Sequence, residues 1–125
     1  MFNHLTIGAS DIESSRRFYD ATFAAIGGPT AQDDPKGRLV YRHDGGVLVV
    51  GKPIDGQPPT VANGNTIGLK VATTEMVDAW HAAGCANGGV AVEDPPGPRS
   101  SPFGEMYLAY LRDPDGHKFC AVCWL

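Results

Sequence analysis

The sequence lacks two features that mark common classes of protein, a run of basic residues and a long apolar stretch. Ten lysines and arginines stand against fourteen acidic residues, which gives a net charge of −4. Without a basic cluster there is no electrostatic footprint for a phosphate backbone, so no nucleic-acid partner is expected. No stretch approaches the roughly 20 apolar residues that span a bilayer, and the first ten residues lack a signal-peptide pattern. We therefore expect no membrane partner and a cytoplasmic location.

Cysteine is also scarce. The only three are Cys85, Cys120 and Cys123, and the last two have the spacing CxxC within one strand-like run. Because residues three apart in a strand point to opposite faces, Cys120 and Cys123 are not placed to pair. A disulfide framework is therefore not expected. A chain of 125 residues can bury a core without such crosslinks, so we treat residues 1–125 as one domain.

Glycine and proline, by contrast, are abundant, and they cluster between short periodic segments. In the opening segment HLTIGAS, apolar residues such as Leu5 and Ile7 alternate with others, which predicts a strand with His4 on the opposite face. The segment that follows begins with the spacing Ser10-x-x-Glu13, a capping box, and ends in two glycines. These signals predict a helix of about 16 residues.

The remaining elements of the first half are strands. Two apolar runs joined by HDGG predict a hairpin, and the Gly- and Pro-rich stretch IDGQPPTVANGN predicts a connection. The second half then repeats the order of elements: a strand, a Thr-capped helix, a short strand, a Pro-rich loop at residues 93–105, and a hairpin whose turn is DPDG. We place the first module at about residues 1–56 and the second at about 64–125.

The two halves can be aligned with an offset of 62 residues. This offset sets His4 opposite Thr66, Ile7 opposite Leu69, and Phe18 opposite Trp80. Amphipathic strand-helix pairs can be slid into partial register by chance, but the matching order of all the elements favours an internal duplication.

Two segments carry a resemblance to a known family. The opening His strand with its helix pattern S-D-x-x-x-S-x-x-F-Y, and the closing segment RDPDGHKFCAV, resemble the vicinal oxygen chelate superfamily of glyoxalases, bleomycin-resistance proteins and extradiol dioxygenases. The resemblance implies an α+β fold in which two βαβββ modules form an eight-stranded, cupped mixed sheet with the helices outside. It also implies a small-molecule cavity within the cup and a homodimer.

Metal-using members of this superfamily bind a divalent ion through the first and last strands of each module. His4 matches the first of these four positions. The second module has Thr66 where such relatives carry His, and the last strand of the first module, VLVV, offers no ligand. At the fourth position, where relatives place Glu, this chain has Cys120. A hydroxyl is a poor ligand for zinc, nickel or iron, so only His4 and Cys120 remain as candidate metal ligands.

A cavity site is predicted from strand alternation and from the 93–105 loop. Alternation directs several residues toward the expected cavity, and in the loop Arg99 offers a bidentate group for an anion while Phe103 offers a ring. The predicted cavity-lining set is His4, Thr6, Thr66, Arg99, Phe103, Cys120 and Val122.

Three functions fit these residues. The first is a superfamily member that binds a small molecule in the cupped sheet, with a degenerate metal site and no required cofactor. The second is a metal-dependent lyase, isomerase or dioxygenase of the glyoxalase type, with zinc, nickel, iron or manganese held by His4, Cys120 and an unidentified third ligand. The third is metal-free catalysis, which requires a hydrogen-bonded arrangement of Cys120 and His4. The sequence favours the first, and it identifies no catalytic residue.

Overall fold

The protein consists of two successive βαβββ modules, and its structure, a computed structural model, describes all 125 residues. The first module comprises β1 (Leu5–Gly8), α1 (Ile12–Ala25), β2 (Gln32–Asp33), β3 (Leu39–His43) and β4 (Gly46–Gly51). The second comprises β5 (Ile67–Lys70), α2 (Thr74–Ala86), β6 (Val90–Ser101), β7 (Gly104–Arg112) and β8 (Lys118–Trp124). Neither helix is long and apolar enough to cross a membrane.

Each module forms its own four-stranded sheet, and both sheets have the same strand order. Sheet 1 is ordered β1-β4-β3-β2, and sheet 2 is ordered β5-β8-β7-β6. The first strand of each module pairs in parallel with the last, whereas the other neighbours are antiparallel. The predicted α+β class with two βαβββ modules is confirmed. The eight strands are divided between two sheets whose strands are not hydrogen-bonded to each other within the chain.

The N-terminus of α1 is capped by Asp11, and the predicted capping box at Ser10 is wrong. The Asp11 carboxylate accepts hydrogen bonds from the backbone N–H groups of Glu13 and Ser14. Ser10 Oγ instead donates to Asp115 in the turn before β8, at 2.6 Å. The local spacing could not reveal this, because the competing acceptor lies 105 residues away along the chain.

The stretch at residues 93–105, predicted to be a loop, is mostly strand. Strand β6 runs through Pro95, Pro96 and Pro98 to Ser101. Prolines are tolerated there because β6 is the edge strand of sheet 2. It has no neighbouring strand on its outer side, so no hydrogen bond is lost there where proline lacks an N–H group. The pairing of β6 with β7 is interrupted between Val92 and Gly97, so the strand carries a bulge.

One apolar core joins both modules. The main contact between them is the packing of α1 on α2. Gly84 makes this approach possible, since a Cβ added there would lie 2.2 Å from Leu111 Cδ1 and 3.2 Å from Phe18 Cε2. Alternate strand residues of both sheets complete the core, and its largest side chains include Phe18, Tyr19, Tyr41, Trp80 and Phe119.

The DPDG turn before β8 ties the second module to the first. The Tyr19 hydroxyl on α1 donates to Asp113 Oδ2 at 2.6 Å, and both residues are buried. His117 Nε2 donates to the carbonyl oxygen of Gly8 at the end of β1, at 2.7 Å. The turn that carries the family resemblance is therefore also the polar contact that fixes how the two modules meet.

Candidate functional site

The candidate site lies on the sheet faces that point away from the core, here called the outer faces. In β8, Phe119, Ala121 and Cys123 belong to the core, so alternation directs Cys120 and Val122 to the outer face of sheet 2. Three apolar residues are buried without belonging to the core cluster, and all three lie on outer faces: Val49 in sheet 1, and Leu108 and Cys120 in sheet 2. The outer faces therefore carry apolar residues of their own.

Cys120 is at the centre of the outer face of sheet 2. Its neighbours in register are Gly68 on β5 and Tyr110 on β7. A Cβ added to Gly68 would lie 3.5 Å from Cys120 Sγ, so no side chain covers the thiol from the β5 side. Neither the Cys120 thiol nor the Tyr110 hydroxyl makes a hydrogen bond with another protein group. Both groups remain available to a ligand.

An ammonium group is held on the same face by a carboxylate from the bulge in β6. Lys118 Nζ lies 4.7 Å from the ring centroid of Tyr110 and forms an ion pair with Glu93. Glu93 has a φ of 59°, in the left-handed region that non-glycine residues rarely adopt. The bulge therefore directs the Glu93 carboxylate across β7 to Lys118, and bulges of this kind often re-aim a side chain beside a binding site.

The two unpaired groups are protonated near neutral pH. Burial raises the pKa of the Cys120 thiol, with Lys118 opposing the shift and Glu93 adding to it. Burial also raises the pKa of Tyr110, and the charges of Cys120 and Glu93 reinforce it. Reactive cysteines have a lowered pKa, so Cys120 is placed to pack and to donate a weak hydrogen bond rather than to act as a nucleophile.

The predicted residues of the first module lie at the start of sheet 1. His4 is exposed, and its Nδ1 donates to Asn3 Oδ1 at 2.7 Å. Thr6 is exposed and lies opposite Val49 in the register of β1 with β4. No hydrogen bond joins His4 to Cys120, so the arrangement required by metal-free catalysis is not present within the single chain.

The predicted residues of the second module are spread along the outer side of sheet 2. Val122 follows Cys120 on the same face, and Thr66 is exposed just before β5. Arg99 donates to the backbone carbonyl oxygens of Pro95 and Pro98 and has no carboxylate partner. Phe103 is 89% exposed in the turn between β6 and β7, which places it at the tip of a hairpin.

The donors of one chain do not fit a divalent metal ion. No group of three or more His, Cys, Asp or Glu side chains lies close enough together to hold one. His4 and Cys120 also line none of the four main clefts of the chain. In addition, the Cys120 thiolate, which is the ligand form, is disfavoured, and the Lys118 ammonium on the same face repels a cation.

Sequence reasoning missed three residues of this face, Tyr110, Lys118 and Glu93. Lys118 could have been found, because it lies two residues before Cys120 in the same strand and so shares its face. Tyr110 required the register of β7 with β8. Glu93 could not be found from spacing, because the direction of its side chain depends on the bulge and on a left-handed backbone conformation, neither of which the sequence predicts.

A separate apolar cavity of about 230 Å³ lies on the core side of the sheets. It is bounded by Leu5 and Leu48 of sheet 1 and by Ile67, Leu69 and Phe119 of sheet 2. The cavity explains why Leu5, predicted to face the core, is 39% exposed. It contains none of the predicted cavity-lining residues.

Comparison with known proteins agrees with this fold. The sequence matches the glyoxalase-like domain family over residues 4–122. A glyoxalase/bleomycin resistance protein from Albidiferax ferrireducens T118 is 45% identical, with 98% of each chain covered and a TM-score of 0.94. A search of curated proteins found no match.

More distant solved structures share the fold alone. A putative glyoxalase from Bacillus halodurans is 23% identical, with 98% of this chain and 95% of that chain covered and a TM-score of 0.75. A glyoxalase/bleomycin resistance protein/dioxygenase family enzyme from Burkholderia phytofirmans PsJN is 17% identical, with 98% of each chain covered and a TM-score of 0.73. The family match, the identity to the Albidiferax protein and the two βαβββ modules lead to one conclusion: the chain belongs to the glyoxalase-like domain family, within the vicinal oxygen chelate superfamily.

Proposed function

We propose that the protein binds a small organic molecule on the outer faces of its sheets, with a degenerate metal site. The observation that carries this proposal is the composition of the outer face of sheet 2. There, the apolar side chains of Leu108 and Val122 lie beside two donors without protein partners, Tyr110 and Cys120. Sites for small molecules are typically apolar surfaces with a few placed polar groups.

We also propose that the protein is a homodimer in which the partner completes the cup. Strands β1 and β5 are edge strands, and each is paired on one side only. Unpaired edges are templates for pairing with another chain. If β1 of one chain lies along β5 of a second copy, the two sheets join into the eight-stranded sheet expected from the sequence. His4 and Thr6 of one copy then face the outer side of sheet 2 of the other. Sedimentation analysis tests this, and a monomer at all concentrations contradicts it.

A metal-dependent lyase, isomerase or dioxygenase is the second candidate function, and one observation favours it. His4 Nδ1 donates to Asn3 Oδ1, which leaves Nε2 as the ring nitrogen without a protein partner. Metal-ligating histidines are commonly oriented by such a hydrogen bond from the other ring nitrogen. This candidate requires Cys120 and a third donor to come from another copy, because one chain lacks the set.

Metal analysis separates the two candidate functions. The protein is purified without chelator, dialysed separately against zinc, nickel, iron and manganese, and measured for bound metal as wild type and as His4→Ala. The proposed function predicts no stoichiometric metal in either protein. Stoichiometric metal that is lost in His4→Ala contradicts it and supports the metalloenzyme.

Ligand binding at the outer face is tested with the amphipathic dye 8-anilinonaphthalene-1-sulfonate. Trp124 is half exposed and follows Cys120 and Val122 by alternation on the same face, so energy transfer from it reports bound dye. We expect saturable binding that is lost in Val122→Arg and kept in Ala82→Arg, a matched change on the exposed side of α2. Equal loss in both variants, or no saturable binding, contradicts the proposal. The cytoplasmic location stays a prediction, which cell fractionation tests.

A further inference from the structure

A continuous groove follows the linker between the modules. Three adjoining clefts of about 780, 250 and 370 Å³ lie along residues 51–66. The first two share Thr6, Gly8 and Thr60, and the last two share Arg112 and Lys118. We call this feature the linker groove. It adjoins the outer face of sheet 2 at Lys118, but Tyr110, Cys120 and Val122 do not line it.

The linker groove concentrates the positive charge of an acidic protein. The chain has ten lysines and arginines, and half of them line the groove: Lys36, Arg38, Lys52, Arg112 and Lys118. Of the fourteen acidic residues, only Asp55 lines it. Clefts lined by charges of one sign focus the electrostatic field and raise the local concentration of the opposite ion. The groove therefore attracts anions although the protein as a whole repels them.

Three of these cations have no carboxylate partner. Arg38 pairs with Asp34 at 2.6 Å, and Lys118 pairs with Glu93. Lys36, Lys52 and Arg112 take part in no ion pair, and Arg112 Nη1 donates only to the backbone carbonyl oxygen of Gly116. These three side chains can bind an external oxyanion without breaking an existing salt bridge.

The floor and wall of the groove are stiff. Gly8 and Gly51 lie opposite each other in the register of β1 with β4. A Cβ at Gly8 would lie 2.7 Å from Pro59 Cβ, and a Cβ at Gly51 would lie 2.6 Å from Arg38 Cγ. Pro59 of the linker and the side chain of Arg38 therefore pack directly against the backbone of β1 and β4. Prolines at positions 53, 58 and 59 restrict the wall, which lowers the conformational entropy lost when a ligand binds.

From these observations we infer that the linker groove binds a small organic molecule that carries phosphate or carboxylate groups. Lys36 and Lys52, which line one cleft of the groove, bind its oxyanion groups, and Arg112 in the adjoining clefts adds to the attraction. This binding is independent of the proposed ligand of the outer face, because the residues that carry that proposal lie outside the groove.

The test uses inorganic pyrophosphate and citrate as probes, which separate a phosphate ligand from a carboxylate ligand. Binding to the full chain is measured by calorimetry and by shifts of the backbone amide signals of residues 51–66 in NMR spectra at low ionic strength. We expect saturable binding of at least one probe at millimolar concentration or below. The double variant Lys36→Gln/Lys52→Gln should weaken it about tenfold or more.

The matched control is Arg17→Gln/Lys70→Gln, which removes two charges outside the groove. It should change the affinity by less than about twofold. Equal weakening in both double variants would show nonspecific attraction and overturn the inference, as would the absence of saturable binding of both probes. Val122→Arg should leave pyrophosphate and citrate binding intact, so failure of this inference and failure of the outer-face proposal are distinguishable.

Discussion

Replacing Tyr19 with Phe tests how the two modules are held together. The Tyr19 hydroxyl donates to Asp113 Oδ2 at 2.6 Å, and each of the two residues is only 2% exposed. The other carboxylate oxygen, Oδ1, accepts from the backbone N–H groups of Asp115 and His117. Phe fills the same space, so Tyr19→Phe removes one charge-assisted hydrogen bond and leaves Oδ2 buried without a donor.

The expected destabilisation follows from that geometry. Hydrogen bonds to charged groups contribute about 1.5–3 kcal/mol, and a buried charged acceptor left without its donor costs toward the upper end of that range. We therefore expect Tyr19→Phe to lower the free energy of unfolding by about 2–3 kcal/mol. For a chain of this size, that corresponds to a fall in Tm of roughly 8–12 °C.

The assay is chemical and thermal unfolding of Tyr19→Phe beside a matched control, Tyr107→Phe. The Tyr107 hydroxyl donates to Asp78 Oδ1 at 2.8 Å, but this bond is exposed. Water replaces the lost partner there, so the control should lose less than about 1 kcal/mol. If the two variants are destabilised equally, burial of the Asp113 bond does not contribute as argued, and the reasoning about the module contact is wrong.

Three further predictions concern pH, thiol reactivity and packing. Burial raises the pKa of Asp113 above its unfolded value of 3.8. The contribution of Asp113 to stability is therefore greatest below pH 3.8 and is lost as pH rises through the folded pKa. Because protonation removes the charge of the acceptor, the destabilisation caused by Tyr19→Phe, measured by denaturant titration, should be smaller in acid than at neutral pH. In the native protein, a thiol reagent at neutral pH should modify exposed Cys85 rapidly and buried Cys120 slowly, and equal rates would contradict the raised thiol pKa of Cys120. Gly84→Ala should destabilise by about 1–3 kcal/mol despite better helix propensity, because its Cβ would overlap Leu111, and a stabilised variant would contradict the close helix packing.

The sequence predicted the elements that depend on local patterns. Alternation correctly set Ile7 on the face that packs against the core, and the HDGG turn has Asp44 and Gly45 both at positive φ, as a tight hairpin requires. Phe18 and Trp80, which the offset of 62 residues sets at equivalent positions, are both almost fully buried. In each case the determining interactions lie within a few residues or on one strand face.

The errors arose where distant residues decide the outcome. Ser10 has the spacing of a helix cap, but Asp115 competes for its hydroxyl across the module contact. The prolines of β6 indicated a loop because the sequence does not show that this strand lies at a sheet edge. Sequence spacing also could not show whether the sheets close on each other within one chain, since that depends on the packing of α1 against α2.

The thiol at position 120 and the left-handed backbone at Glu93 both bear on how the charge of Lys118 is paired. The superfamily resemblance implies a carboxylate at the position of Cys120 in metal-using members, and such a group would lie two residues from Lys118 on the same face. With a thiol there instead, the only carboxylate that Lys118 meets is Glu93, which reaches it from β6. A left-handed backbone at a non-glycine residue costs about 1–3 kcal/mol, and the Lys118 ion pair offsets part of this cost. Lys118 is therefore paired by a carboxylate that the bulge in β6 supplies rather than by one at position 120.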